Sequence, residues 1–333
     1  MRSPTLSELP SPPRRTGWPW TEESRALPEA TPDGAPWPLL SVITPSYNQG
    51  EFIEETIRSV LLQGYPNLEY IVLDGGSTDG TVDILKKYDR WISHWSSAKD
   101  GGQTEALNKG FAMAKGELVG WQNSDDYYDH DAFGPGALAS LRFPGDAVFF
   151  GENDYVDSSS RFLSKKNVCF PTYEAMIPWP CISNQSMLFR RSLFDEGLRL
   201  NEGFHHYMDY EFFWRLLLAG CKFRHVPEMN GMLRTHENAK GVRGGAVAQA
   251  EGFSIYRSLL VSGKLPRSVE ERLLEAMRRE CLNDFGHYRA GAFRLHFMEI
   301  VRTGGLRALT PPLIARYLVA LLGPRCVRLV ANR

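Results

Sequence analysis

The chain has 333 residues, which at about 150 residues per domain makes two domains or one large α/β domain with appendages. Apolar residues make up 43% and charged residues 23%, a composition that buries a core and excludes a wholly disordered chain. The 38 Lys and Arg stand against 39 Asp and Glu, a balance that excludes the basic excess of a dedicated nucleic-acid binder.

Residues 1–38 hold nine of the 21 prolines and no periodic apolar pattern. They are expected to form a flexible, Pro-rich tail, with Trp18, Trp20 and Trp37 as candidates for docking on the body. From Leu39 the pattern changes. Leu39–Thr44 is a short apolar run closed by Pro45, a buried strand; Glu51–Leu62 has helical spacing in Phe52, Ile53, Ile57, Val60 and Leu61. Glu69–Leu73 is the next strand and Thr81–Tyr88 the next helix, with Asp79 as a candidate N-cap. Trp91–Trp95, a helix over Thr104–Ala114 and a strand over Glu117–Trp121 continue the alternation, which predicts βαβ units around a mainly parallel sheet. Further on, Ala147–Phe150, Gln185–Phe189 and Lys222–Val226 read as strands, and Tyr207–Ala219 as a helix. From about residue 247 the chain reads as helical. Its segment 289–333 carries eight arginines and one acidic residue, Glu299. The expected domains are therefore a tail (1–38), an α/β body (39–240) and a basic helical region (241–333). The five cysteines stand far apart with no CxxC, which argues against a zinc module or disulfide scaffold and for a reducing, cytoplasmic setting. No apolar run reaches 18 residues and no secretory leader is expected at the start.

Ligands of an open parallel sheet bind outside the carboxyl ends of its strands. Four successive strand ends here read Pro45-Ser-Tyr-Asn48, Asp74-Gly-Gly-Ser-Thr-Asp-Gly80, Lys99-Asp-Gly-Gly-Gln103 and Asn123-Ser-Asp-Asp126. One such end is ordinary turn chemistry; four in register predict one shared polar pocket. Neither GxGxxG nor GxxxxGK[ST] is present, so the pocket lacks the dinucleotide and P-loop fingerprints. Asp125 and Asp126 offer hard oxygen ligands suited to Mg²⁺ or Mn²⁺, which would grip a diphosphate, and Trp121, Tyr127 and Tyr128 flank them with apolar bulk. Asp74 reads either as acceptor of a nucleobase N–H or as a turn former, and Tyr47 either as a stacking ring or as a core lid.

The order and spacing of these pieces resemble glycosyltransferase family 2 proteins of GT-A fold. The matching stretches are Ser41–Gln49, Ile57–Gln63, Glu69–Thr81, Gly102–Gly110 and Gly116–Asp126, dense over about 39–130 and thinner to about 240. The resemblance implies a Rossmann-like α/β GT-A fold over 39–240, with 39–130 as the nucleotide-binding half and 131–240 as the acceptor half, and with the C-terminal helical region outside it. It implies that Pro45, Tyr47 and Asp74 line the nucleobase pocket with Asn48 beside them, and that Asp100, Gln103 and Asn123 face ribose and phosphates. Asn123-Ser-Asp125 takes the place of the family's DxD metal motif, with Asn replacing the first acid and Asp126 alongside. Met208-Asp-Tyr-Glu-Phe-Phe-Trp-Arg215 resembles the segment that supplies the catalytic base, which falls on Asp209; Met208 stands where the family has an acid, with Glu211 as a substitute. His236 matches a late histidine near the diphosphate or metal, and either Arg234 or Lys240 would neutralise the leaving phosphates.

The resemblance implies a glycosyltransferase using Mg²⁺ or Mn²⁺, inverting with Asp209 as the candidate base, and non-processive because processive family members carry a Q-x-x-R-W motif and transmembrane helices, neither of which is expected here. It would move one sugar from a nucleotide-diphospho-sugar to a glycan or lipid-linked acceptor in cell-surface polysaccharide synthesis. No nucleic-acid partner is expected. The basic C-terminal helix reads either as a membrane-surface helix at the inner face of the plasma membrane or as a packed helix with solvated arginines. The rivals are a nucleotidyltransferase, disfavoured because no Gly-rich basic loop follows the first strand, and an inactive sugar-nucleotide or glycan-binding module, to which Asn123 and Met208 lend support.

Overall fold

The computed structural model describes residues 2–12, 14–240, 245–287 and 289–331. They form two compact units. One comprises residues 1–171 and 181–243, the other 172–180 and 244–333.

The first unit is built on a nine-stranded sheet. Its first half alternates strand and helix: β1 (Leu40–Ser46), α1 (Ile53–Leu61), β2 (Leu68–Asp74), α2 (Thr81–Tyr88), β3 (His94–Ser97), α3 (Gln103–Met113) and β4 (Leu118–Trp121). Strands run parallel in the order β3-β2-β1-β4. β1 is buried along its whole length, as expected of a parallel strand covered on both faces. Register sets Ser46 beside Asp74 and Asp74 beside Ser97, so three strand ends open at one level. Gly80, with φ of +95°, takes the α2 cap position predicted for Asp79; Asp79 still accepts from Thr81 N at 3.2 Å.

The second half is wound differently. β5 (Tyr127–Tyr128), α4 (Phe133–Arg142), β6 (Val148–Val156), β7 (Phe162–Lys165), β8 (Met187–Arg190), α5 (Ser192–Asp195), α6 (Met208–Leu218) and β9 (Phe223–Arg234) follow. β8 is antiparallel to both β4 and β6, β9 is parallel to β6, and β5 and β7 pair antiparallel at the margins. The sheet is thus mixed beyond β4. β9 runs well past the predicted Val226, through Pro227 and Gly231, because a register shift in its pairing with β6 accommodates them.

Segment 1–38 departs from the expected flexible tail. It has one short 3₁₀ turn, yet Leu9, Trp20 and Trp37 are buried. Carbonyls in a proline-rich stretch find few backbone N–H partners. Here side chains supply the donors. Arg58 of α1 is wholly buried and donates to Pro19 O (2.9 Å), Pro10 O (3.0 Å) and Trp20 O (3.0 Å); Trp18 Nε1 donates to Tyr128 O at 2.8 Å. The tryptophans supply the apolar burial and the buried guanidinium fixes the path.

The second unit contains α7 (Gly245–Val261), α8 (Arg267–Gly286), α9 (Ala290–Gly304), α10 (Pro311–Leu321) and α11 (Pro324–Ala331). Val269, Leu273, Met277, Phe293, Ile300 and Leu313 form its core. Asp284 is buried there, accepting from Gln249 and paired with His296 at 2.6 Å.

Candidate active site

At the carboxyl edge of β1–β4 lies a cleft of about 1020 Å³ within the first unit. Of the predicted residues, Pro45, Tyr47, Asp100, Gln103, Asn123, Asp125 and Asp126 line it, and so do both phosphate candidates, Arg234 and Lys240. Tyr47 is 63% exposed, which excludes a core lid and leaves its ring free to meet a ligand.

Two predicted nucleotide contacts are spent inside the protein. Asp74 is buried, and its carboxylate accepts from Gly76 N (3.1 Å), Ser77 N (2.9 Å), Ser77 Oγ (2.5 Å) and Ser97 Oγ (2.6 Å). It shapes the loop after β2 and leaves Gly75 and Gly76 as the cleft wall. Asn48 adopts a left-handed conformation (φ +51°) that asparagine tolerates better than most residues, and its Oδ1 accepts from Thr78 N at 2.9 Å. It latches the loop after β1 to the loop after β2 rather than lining the cleft.

The turn 123–126 after β4 forms the cleft floor. Thr56 of α1 donates to Ser124 O (3.0 Å) and Asp126 O (2.6 Å). Asp126 is buried, and both its oxygens are occupied: Arg234 N donates to Oδ1 (2.8 Å), and Gln185 Nε2 (2.6 Å) and Asn123 Nδ2 (3.1 Å) donate to Oδ2. Burial, reinforced by the Asp125 charge, pushes the Asp126 carboxyl well above the ordinary range while those three donors pull it back. Its role in the turn is thus that of an anchor, unlike the expected second metal ligand. The same bonds explain Asn123. Its Oδ1 accepts from Gln103 Nε2 (2.8 Å) and Trp121 Nε1 (3.1 Å) while its Nδ2 donates to Asp126. An aspartate at 123 would set a carboxylate against Asp126 and lose that donor.

Asp125 keeps its carboxylate partly open. His236 Nε2 lies 3.1 Å from Oδ2, and the Phe52 ring backs His236 at 4.7 Å between centroids. Among the described residues no group of three or more His, Cys, Asp and Glu converges into a metal cage. The donor set of Asp125 with His236 still fits a hard cation that takes its remaining ligands from water and substrate phosphates, as Mg²⁺ commonly does.

Arg234 was one of two candidates for the leaving phosphates. Its side chain is 1% exposed and donates to Glu55 (3.0 Å), Ser160 Oγ (2.9 Å) and Asp125 O (2.7 Å). Glu55 is equally buried and also meets Arg15 at 3.1 Å and Ser160 Oγ at 2.7 Å. Arg234, itself a lining residue, therefore has its guanidinium spent on bracing the turn, whereas Lys240 Nζ donates to Gln103 Oε1 at 2.5 Å in the cleft.

Asp209 begins α6 and lies outside the lining residues, its charge felt by Lys240 of the cleft. Burial raises its carboxyl above the ordinary range; the Tyr210 N–H and Lys166 pull it down. Lys166, which the sequence reading missed, is itself buried, donates to Ile182 O at 3.3 Å and touches Ser183 Oγ. Its only sequence signal is a lysine beside β7. Met208 packs under Thr104, whose Oγ1 lies 2.9 Å from Sδ, so that position is core. Glu211 is held by Arg215 one turn on, at 2.8 and 2.9 Å, and supplies no second carboxylate to Asp209.

A parallel β3-β2-β1-β4 half, an antiparallel return through β8 and an acidic turn at the strand ends define the GT-A class of α/β fold. Solved structures agree. The Staphylococcus aureus TarS structure (residues 1–349) in complex with UDP-GlcNAc matches with a TM-score of 0.64 at 19% identity, over 88% of this chain and 90% of that one. The mannosyltransferase PcManGT of Pyrobaculum calidifontis, in complex with GDP-Man and Mn²⁺, matches with a TM-score of 0.54 at 16% identity, over 94% and 91%.

The family model for glycosyl transferase family 2 matches residues 41–198. TuaG of Bacillus subtilis, a glycosyltransferase named for teichuronic acid biosynthesis, is 44% identical over 97 residues, 28% of this chain and 38% of that protein. An uncharacterized glycosyltransferase of Rickettsia typhi is 30% identical over 194 residues, 54% and 59%. The match thus spans between about two fifths and three fifths of these relatives' lengths.

Proposed function

We propose that this chain is an inverting, non-processive glycosyltransferase that moves one sugar from a nucleotide-diphospho-sugar to a glycan or lipid-linked acceptor of cell-surface polysaccharide. The observation that carries the reading is the Asp125 carboxylate, open to a 1020 Å³ cleft, steadied by His236 and seated on a backbone that Arg234 fixes. Asp125 and His236 would hold Mg²⁺ or Mn²⁺, which supplies charge neutralisation for the departing diphosphate. Tyr47, Pro45 and Gly75 would meet the nucleobase, and Asp100, Gln103 and Lys240 the ribose and phosphates.

Asp209 takes the proton from the acceptor hydroxyl as its oxygen forms the new bond to the anomeric carbon. The carbon–oxygen bond to the diphosphate breaks, and its electron pair leaves on the nucleoside diphosphate. Burial raises the Asp209 carboxyl and the Lys166 charge opposes that rise. The bound acceptor would have to reach Asp209 from the cleft side that Lys240 faces.

The enzyme would work at the cytoplasmic face of a membrane. From Val301 to Arg333 there are six arginines and no acid. Leu318, Leu321, Leu322 and Leu329 are exposed on α10, α11 and the residue between them, an apolar and basic face suited to anionic lipid. None of the described helices is long and apolar enough to cross a membrane.

The test is release of nucleoside diphosphate from a panel of UDP-, GDP- and dTDP-hexoses with Mn²⁺, with and without acceptor glycans. The proposal expects slow release by the wild type and loss of turnover with retained binding in Asp209→Asn. Binding without release in the wild type would favour the inactive module, and release of pyrophosphate from a nucleoside triphosphate with a sugar phosphate would favour a nucleotidyltransferase.

A further inference from the structure

Gln185 plays no part in the sequence reading, and the geometry gives its side chain one unfilled role. It sits in the 3₁₀ turn Asn184–Ser186 just ahead of β8 and lines the cleft. Its position is tightly set. A Cβ on Gly231 of β9 would collide with the Gln185 carbonyl, and the next residue, Ser186, donates to Asn153 Oδ1 at 3.0 Å.

The direction of its amide is also set. Asp126 Oδ2 receives Asn123 Nδ2, whose own oxygen is fixed by Gln103 Nε2 and Trp121 Nε1. Gln185 Nε2 is the third donor to that carboxylate, 2.6 Å from Oδ2. Gln185 Oε1 is left buried without a hydrogen-bond partner among the described residues. Buried amide oxygens are rarely left so, and one in a cleft wall awaits a donor from the ligand.

Which donor follows from topology. The loops proposed for the base follow β1 and β2 and the loop proposed for the ribose follows β3, while Gln185 precedes β8 on the other side of β4. The turn after β4, proposed for the diphosphate, lies between them. A donor ordered base, diphosphate, sugar therefore puts its sugar beside Gln185. Phosphate oxygens carry no proton to offer at neutral pH, whereas a sugar hydroxyl does. Resting on the proposed transferase reading, we infer that Gln185 Oε1 accepts a hydrogen bond from one hydroxyl of the transferred sugar and selects donors by it.

The experiment measures kcat/KM of wild type and Gln185→Met for nucleotide-hexoses and their monodeoxy analogues, and the affinity of UDP and GDP with Mn²⁺. A site built to pair a hydroxyl rejects the analogue lacking it strongly. In the wild type one monodeoxy analogue should lose roughly 10²-fold or more. In Gln185→Met that difference should vanish, while the lost donor to Asp126 weakens nucleoside diphosphate binding for every donor alike. Two results would overturn the inference: wild type accepting every monodeoxy analogue equally, or Gln185→Met retaining the discrimination. The first needs no variant and holds even if Gln185→Met fails to fold. A wild type that neither binds nor turns over any nucleotide-hexose removes the transferase reading itself.

Discussion

The two ends of the cleft are built in opposite ways. The loop after β2 is closed by its own residues: Asp74 ties Gly76 and Ser77, two and three positions on, and reaches only as far as Ser97 on the next strand. The turn after β4 is held from far along the chain, by Thr56 about 70 residues before it, Gln185 about 60 after and Arg234 about 110 after. The first loop is a local object that a short sequence specifies. The second is a junction where α1, β9 and the start of β8 meet, and its geometry depends on all three being in place.

That contrast can be broken by measurement. The largest effect belongs to the proposed base. Asp209→Asn should lower kcat by roughly 10²- to 10⁴-fold with nucleoside diphosphate affinity unchanged, as read by steady-state kinetics and titration calorimetry. Retained turnover would mean that another group takes the proton. Next comes the junction. Glu55→Ala strands the buried Arg234 guanidinium, and removing one partner of such a pair costs about 3–5 kcal/mol. Urea unfolding should show that loss together with weakened Mn²⁺ binding, since Arg234 fixes the Asp125 backbone. The local loop should suffer less. Asp74→Ala frees donors close to solvent and should cost about 1–3 kcal/mol without altering Mn²⁺ affinity. If Asp74→Ala proves the costlier change, the comparison between the two ends fails.

The smallest effect is in the pH profile. Because burial raises the Asp209 carboxyl, the acid limb of kcat/KM should fall above the ordinary carboxylate range, with activity lost as pH drops through it. Lys166→Met removes a positive charge that lowers that carboxyl, so the limb should move to still higher pH. A limb that stays in place would show that Lys166 does not act on the base.

The parallel half was legible because its signals are local. Apolar runs of β1, β2 and β4 alternate with helical spacing, and Gly and Asp mark each strand end. The β3 strand came out three residues later than expected, since Trp91 belongs to a 3₁₀ turn that precedes it. At the site, the sequence shows residue types but not their partners. Asp74 and Asp126 looked like ligand carboxylates, but four and three internal donors respectively occupy them. Whether a carboxylate faces a ligand or a backbone amide depends on contacts that no spacing encodes. Arg58 and the tail show the same limit. Nine prolines in 38 residues read as disorder, whereas three buried apolar side chains and one buried arginine forty positions on make the segment part of the core.

The most direct measurement of the central claim is calorimetric titration of UDP and GDP into the wild type and Asp125→Ala, each with and without Mn²⁺. One carboxylate at the end of β4 is held to couple a cation to the diphosphate. The wild type should then bind one of the two at least roughly tenfold more tightly with the metal, and Asp125→Ala should bind it equally weakly in both conditions. A metal-dependent gain that survives intact in Asp125→Ala would contradict the account.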